Sequence, residues 1–216
     1  MKIYNFEDIL ENDYKDIKRH LEGSGLIIYP TETSYAVGVN ALDDNAVGMV
    51  YEIKKRDGSK PLPVVIRDLK MLTSMVLVKR QEEDIISIFW PGPLTILFES
   101  KLIKRYLFNQ GSGLIGARIS SHPFIEQLFK EIDFPLVSTS ANISGETGCN
   151  SLKEAVESFS GIRDEFKNRV IAVDAGTLDG GASTIIKVEK DRVNIVRAGE
   201  NNIKERFLCY IKNINR

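Results

Sequence analysis

Strands and helices intermix along the whole of this 216-residue sequence, which predicts an α/β domain built around a mixed sheet. Three strand candidates near the C-terminal end follow one another without helices between them, so that part is expected to be antiparallel. No internal repeat, low-complexity tract or Pro/Gly-rich linker interrupts the chain, and residues 1–216 are expected to form a single domain.

The elements follow in order. Ile9, Leu10, Ile17 and Leu21 recur at roughly helical spacing, and "EGSG" stops that helix. "LIIYP" is a short apolar run closed by Pro30 and reads as a buried strand. "NAVGMVYEIKKR" predicts a helix with Val47, Val50 and Ile53 on one face. "LPVVI" predicts a strand, "QEEDIISIF" a helix, and "LTILF" and "LIGARI" two strands separated by the segment around "NQGSG". "PFIEQLFKEI" reads as a helix, "PLVS" as a strand and "LKEAVESF" as a helix. "VIAVDAG", "STIIKVE" and "VNIVRAG" are the three late strands, with "DR" turning the last pair, and "IKERFLCYI" is a closing helix.

Composition narrows the class. With 43% hydrophobic and 27% charged residues the chain is an ordinary globular one, and 29 basic against 30 acidic residues argue against coating nucleic acid by bulk charge. A local basic cleft stays compatible with that balance. Cys149 and Cys209 are far apart and lack ligand spacing, and His20 and His122 are the only histidines, so neither a disulfide framework nor a protein-held metal is expected. The charged N-terminus has no signal-peptide run, and no stretch approaches the ~20 apolar residues of a membrane span. The expectation is cytoplasmic.

Five polar clusters lie beside predicted strand ends, where ligand sites of α/β sheets gather: "YPTETSYAVG", "KKRDGSK", "GARIS", "STSAN" and "GASTII". Each has an ordinary alternative. Thr31 and Thr33 suit a cap or turn, and Lys54, Lys55, Arg56 and Lys60 suit a solvated helix end. Ser183 and Thr184 suit a strand. Arg118 is harder to place so, because an Arg on an apolar strand needs an anion, either an internal carboxylate or a ligand. P-loop, nucleophile-elbow and zinc-protease motifs are absent, and no G-x-G-x-x-G directly follows a strand candidate. What remains is hydroxyls, an amide and cations without an evident nucleophile. That set suits phosphate and carboxylate groups, with catalysis by positioning and charge stabilisation.

The ordered set "YPTETSYAVG", "KKR…KPLPVVI", "WPGPLTILF", "GARISSHP", "PLVSTSANISG", "STII" and "IVRAG", running from about residue 25 to 200, resembles the YrdC/TsaC family of threonylcarbamoyl-AMP synthases in its short form. The resemblance implies an open, twisted mixed sheet with helices on its faces and a concave cleft. It implies a nucleotidyltransferase that joins L-threonine, bicarbonate or CO2, and ATP into threonylcarbamoyl-AMP and pyrophosphate, with Mg2+ accompanying ATP. A separate transferase complex then modifies tRNA. By resemblance Lys54, Arg56, Ser140 and Asn142 surround the phosphates and carry catalysis, with Lys60, the Leu114 backbone and Arg197 as further ATP contacts. Thr33, Arg118, Ser138 and Ser183 match the threonine positions. The chain departs from the pattern at Ala36, where relatives have Gly, at Ser120, where they have Pro, and at "ETGCN" in place of Arg-Pro-Ser. Ala36 would be strained if its position required φ > 0. Three other readings share the features: a YciO-like paralogue, a double-stranded RNA-binding module (or a tRNA contact) using the basic residues, and hydrogenase-maturation relatives. The last carry zinc-finger and acylphosphatase segments absent from this sequence.

Overall fold

The computed structural model describes residues 1–102, 106–161, 168–179, 181–190, 192–199 and 203–214. The chain opens with β1 (Lys2–Asn5) and α1 (Glu11–Glu22), whose Tyr14, Ile17 and Leu21 form the buried stripe. Ile9 and Leu10 precede that helix, and Leu10 is exposed. Then come β2 (Leu26–Tyr29), β3 (Ala36–Gly38) and α2 (Asp44–Ile53). The Asp43 carboxylate accepts from the Asn45 and Ala46 amides and so caps α2.

The middle of the chain supplies β4 (Val64–Val65), α3 (Leu69–Met75), β5 (Val76–Leu77), α4 (Arg80–Phe89), β6 (Leu94–Ser100) and β7 (Leu114–Arg118). Next come α5 (Pro123–Glu131), capped by the His122 ring, β8 (Leu136–Val137), β9 (Thr139–Ser140) and α6 (Leu152–Ser158), which Ser151 and Glu154 cap reciprocally. The last elements are β10 (Val170–Asp174), β11 (Thr184–Glu189), β12 (Arg192–Arg197) and α7 (Ile203–Ile214). Among the described residues no helix is long and apolar enough to cross a membrane.

The strands form two mixed sheets where the sequence suggests one. The first runs β1-β10-β2-β3-β9; the second runs β12-β11-β6-β7-β4-β8, with β5 also pairing β6. β11 and β12 are antiparallel as expected. β10, however, leaves its sequence neighbours and lies parallel to β1 and β2 in the other sheet, so the three late strands are not one antiparallel run. Asp191, in the expected "DR" turn, lies outside the described residues.

The chain crosses from one sheet to the other at Ser138. β8, just before it, pairs with β4 in the second sheet, and β9, just after it, pairs with β3 in the first. The approach is close: a Cβ on Gly38 would sit 2.6 Å from the Tyr29 ring and 3.0 Å from the Val137 carbonyl. Ala36 lies in extended β3 and is not among the positive-φ residues, so the strain anticipated there does not arise.

Candidate active site

Between the two sheets opens a cleft of about 610 Å³, lined from both. The first sheet and its loops contribute Thr31, Thr33, Ser34 and Ala36. The second contributes Thr95, Leu97, Gly116 and Arg118 from β6 and β7, and Ile185 with Ser183 from the start of β11. Two-residue periodicity puts Gly116 and Arg118 on one face of β7. The crossing segment supplies Ser138 to Ser140, Asn142 and Ser144, and Glu146 lies just beyond it.

Thr31 takes the ordinary role foreseen for it: its hydroxyl accepts from the Thr33 and Ser34 amides and donates to the Ser34 carbonyl at 2.7 Å, locking a tight turn. Thr33 lines the cleft beside it.

Lys54 ends α2 and is 1% exposed. Its ammonium donates to the carbonyls of Ser140 and Asn142, the latter at 2.6 Å, while its own carbonyl accepts from the Ser144 amide at 2.9 Å. One residue therefore holds the 140–144 segment from both of its ends. Burial, and then the neighbouring Arg56 cation, pushes the Lys54 pKa down to about 8. Arg56 donates to the Lys60 carbonyl at 3.2 Å and to the Pro61 carbonyl at 2.9 Å, curling the 56–61 loop against the cleft mouth.

Arg118 is 7% exposed and has an internal counter-ion, Glu32, at 3.2 Å. Among the described residues its guanidinium makes no further polar contact, so most of its N–H groups stay available on the cleft side. On the same sheet, at the end of β12, Arg197 donates to the Ser183 carbonyl twice, at 2.8 and 3.1 Å, and to the Ser183 hydroxyl at 2.8 Å. Burial first, and the Arg118 cation second, lowers the Arg197 pKa from its ordinary value. Gly199 permits this seating, because a Cβ there would fall 2.4 Å from the Ala182 carbonyl.

Among the described residues, three buried polar atoms of the crossing segment lack a well-aligned hydrogen-bond partner: Ser138 Oγ, Asn142 Oδ1 and Ser144 Oγ. An unsatisfied buried group costs about 1–3 kcal/mol, so clustering them along a cleft wall suits a polar ligand.

Thr33, Lys54, Arg56, Arg118, Ser138, Ser140, Asn142, Ser183 and Arg197 thus line one cleft. Lys60 and Leu114 do not. Lys60 is exposed and contributes only backbone hydrogen bonds to its loop, and Leu114 begins β7 opposite Glu99, at the far end of the strand from Arg118. Sequence reasoning did not single out Glu32, Thr95, Gly116 or Glu146. Gly116 was reachable through the alternation of the strand that carries Arg118; Thr95 lies on the neighbouring strand β6, and the carboxylates had no local signal.

The family described as "Telomere recombination", spanning Sua5, YciO and YrdC, matches residues 19–199. The chain belongs to this family. A protein of Methanocaldococcus jannaschii provisionally named threonylcarbamoyl-AMP synthase is 32% identical over 96% of this chain and 98% of its own length. The threonylcarbamoyl-AMP synthase of Pyrococcus abyssi is 30% identical over 83% of this chain and 52% of that protein. The crystal structure of P. abyssi Sua5 complexed with L-threonine superposes with a TM-score of 0.85 at 28% identity, over 95% of this chain and 60% of that one. The chain therefore spans about half to three fifths of the P. abyssi proteins.

Proposed function

We propose that the protein is an L-threonylcarbamoyl-AMP synthase, condensing L-threonine, bicarbonate or CO2, and ATP into threonylcarbamoyl-AMP with release of pyrophosphate. The observation that carries the reading is the buried Arg118 guanidinium, most of its donors unspent, facing a cleft that also gathers Lys54, Arg56 and Arg197. A carboxylate on Arg118 and a polyphosphate on the other cations would use both halves of that charge. The related P. abyssi protein was crystallised with L-threonine, which supports the amino-acid half.

In this reading Arg118 grips the threonine carboxylate, and the hydroxyls of Thr33, Ser138 and Ser183 surround the rest of the amino acid. The amine adds to CO2 and loses a proton to give a carbamate. A carbamate oxygen then attacks the α-phosphorus of ATP, and the bond to the β-phosphate bridging oxygen breaks. Negative charge grows on the phosphoryl oxygens and the leaving pyrophosphate, where Lys54, Arg56 and the Ser140 and Asn142 side chains oppose it. No protein nucleophile is needed. Among the described residues no group of three or more His, Cys, Asp or Glu is placed to hold a metal, so a magnesium ion arriving with ATP would be held mainly by phosphate and water, with Glu146 as the lining carboxylate. The product would serve a separate transferase that modifies tRNA.

Pyrophosphate release is expected to require L-threonine and bicarbonate together with ATP. Following pyrophosphate with each component omitted checks this. Equal ATP turnover without threonine would end the synthase reading, and salt-sensitive RNA binding indifferent to both substrates would favour an RNA-binding module instead.

Arg56→Ala should lower turnover by about tenfold or more while shifting the melting temperature little. It removes one charge-assisted phosphate contact, worth roughly 1.5–3 kcal/mol, from a side chain that is only partly buried. A variant with parental turnover returns Arg56 to a purely loop-ordering role.

A further inference from the structure

Behind Arg118 lies a short chain of contacts that does not itself line the cleft. Ser120, two residues beyond Arg118, is 6% exposed. Its hydroxyl oxygen accepts from the His122 amide at 3.2 Å, and its proton goes to Glu32 Oε2. The other carboxylate oxygen, Oε1, is then turned toward Arg118 Nη1, 3.2 Å away. Oε1 accepts no aligned hydrogen bond, so the pair is held by charge and by the Ser120 tether rather than by a saturated fork.

We infer that Glu32 and Ser120 are positioning residues for amino-acid recognition: anchored by the His122 amide, they fix the Arg118 guanidinium so that its remaining N–H edge faces the cleft. The inference rests on Arg118 being the group that binds the threonine carboxylate. Two cations, Arg118 and Arg197, stand close enough to influence one another, and the cleft-lining set holds no carboxylate on that side. Without an oriented anion behind it, the guanidinium would be free to turn away from the like-charged Arg197. Glu32 supplies that anion, and Ser120 determines which way it points.

Two variants test the inference while keeping every charge of the cluster. Glu32→Asp shortens the reach by one methylene, so the carboxylate cannot hold Ser120 and face Arg118 together. Ser120→Ala removes only the tether. Expected are about a tenfold loss of L-threonine affinity for Glu32→Asp and about threefold for Ser120→Ala, with ATP affinity changed less than about twofold, all read by calorimetric titration. A merely structural role predicts lower melting temperatures with both affinities unchanged. If the parent binds threonine and both variants bind it equally well, positioning is overturned and the synthase reading stands. If the parent itself binds no threonine, the synthase reading falls and this inference falls with it. Should Glu32→Asp not fold, Ser120→Ala decides the matter, since it removes one oxygen from a neutral side chain.

Discussion

Arg118→Lys should lower L-threonine affinity by about ten- to a hundredfold and leave ATP affinity nearly unchanged. Arg118 sits at the end of β7 with Glu32 at one side of its fork and the cleft at the other. A planar guanidinium can serve both at once, because its five donors point in fixed and divergent directions. An ammonium is a point charge. With Glu32 so near, lysine would settle on that carboxylate and leave the substrate a single distant contact. Losing one of two charge-assisted bonds costs on the order of 1.5–3 kcal/mol, which corresponds to that loss of affinity. Internal pairing alone predicts something different: a lower melting temperature with unchanged threonine affinity in the folded fraction. Titrations of threonine and ATP beside a melting curve separate the two, and normal threonine binding by the variant removes Arg118 from the carboxylate role.

The sequence made the strongly periodic elements legible, and of the shortest strands only β4 and β8, which sit within apolar runs. α1, α5 and β6 carry enough repeats of their own period to be read locally. β3, β5 and β9 span two or three residues, too few for any alternation to register. β1 reads "KIYN", with Ile3 exposed and Tyr4 buried; it is a strand because Lys2 to Asn5 pair with Ile171 to Asp174 from the far end of the chain. Such a long-range partner leaves no local trace. The division into two sheets is hidden for the same reason. Adjacency correctly pairs β11 with β12, but nothing near β10 announces that it lies between β1 and β2.

The polar clusters were legible because each lies at a strand end, and the crossing at Ser138 explains why "STSAN" faces a cleft at all. What could not be read was which side of a residue does the work. Arg118 called for an anion, and both an internal carboxylate and a ligand remained open; Glu32 now occupies one side without exhausting the other. Lys60 belongs to the same basic run as Lys54 and Arg56, yet the left-handed turn at Lys55, φ 48°, and the curled 56–61 loop leave it in solvent. Residue spacing carries no information about that turn.

Lys54 gives the second large effect expected. Lys54→Met should lower kcat/KM for ATP by about 10²–10³, the range typical of removing one preorganised electrostatic contact, while moving the melting temperature only slightly. Two contributions to stability oppose each other. Burial makes the charged ammonium costly, which its pKa lowered to about 8 reflects. Against this, the ammonium makes two charge-assisted bonds, to the Ser140 and Asn142 carbonyls, of about 1.5–3 kcal/mol each. Their near balance puts the loss into local order: the 140–144 segment, tied at both ends to Lys54, should lose amide-exchange protection. Unchanged protection there would show that other contacts hold the segment. The same residue sets a pH limit. The charged form opposes phosphate, and in the free enzyme it is lost as pH rises through about 8, so kcat/KM for ATP should fall along that limb. Below the limb the ammonium is fully charged and kcat/KM is insensitive to its titration. Lys54→Arg keeps a permanent cation, and whatever activity it retains should no longer show the alkaline fall. An identical limb in that variant would assign the titration to a different group and leave Lys54 as a purely structural clamp.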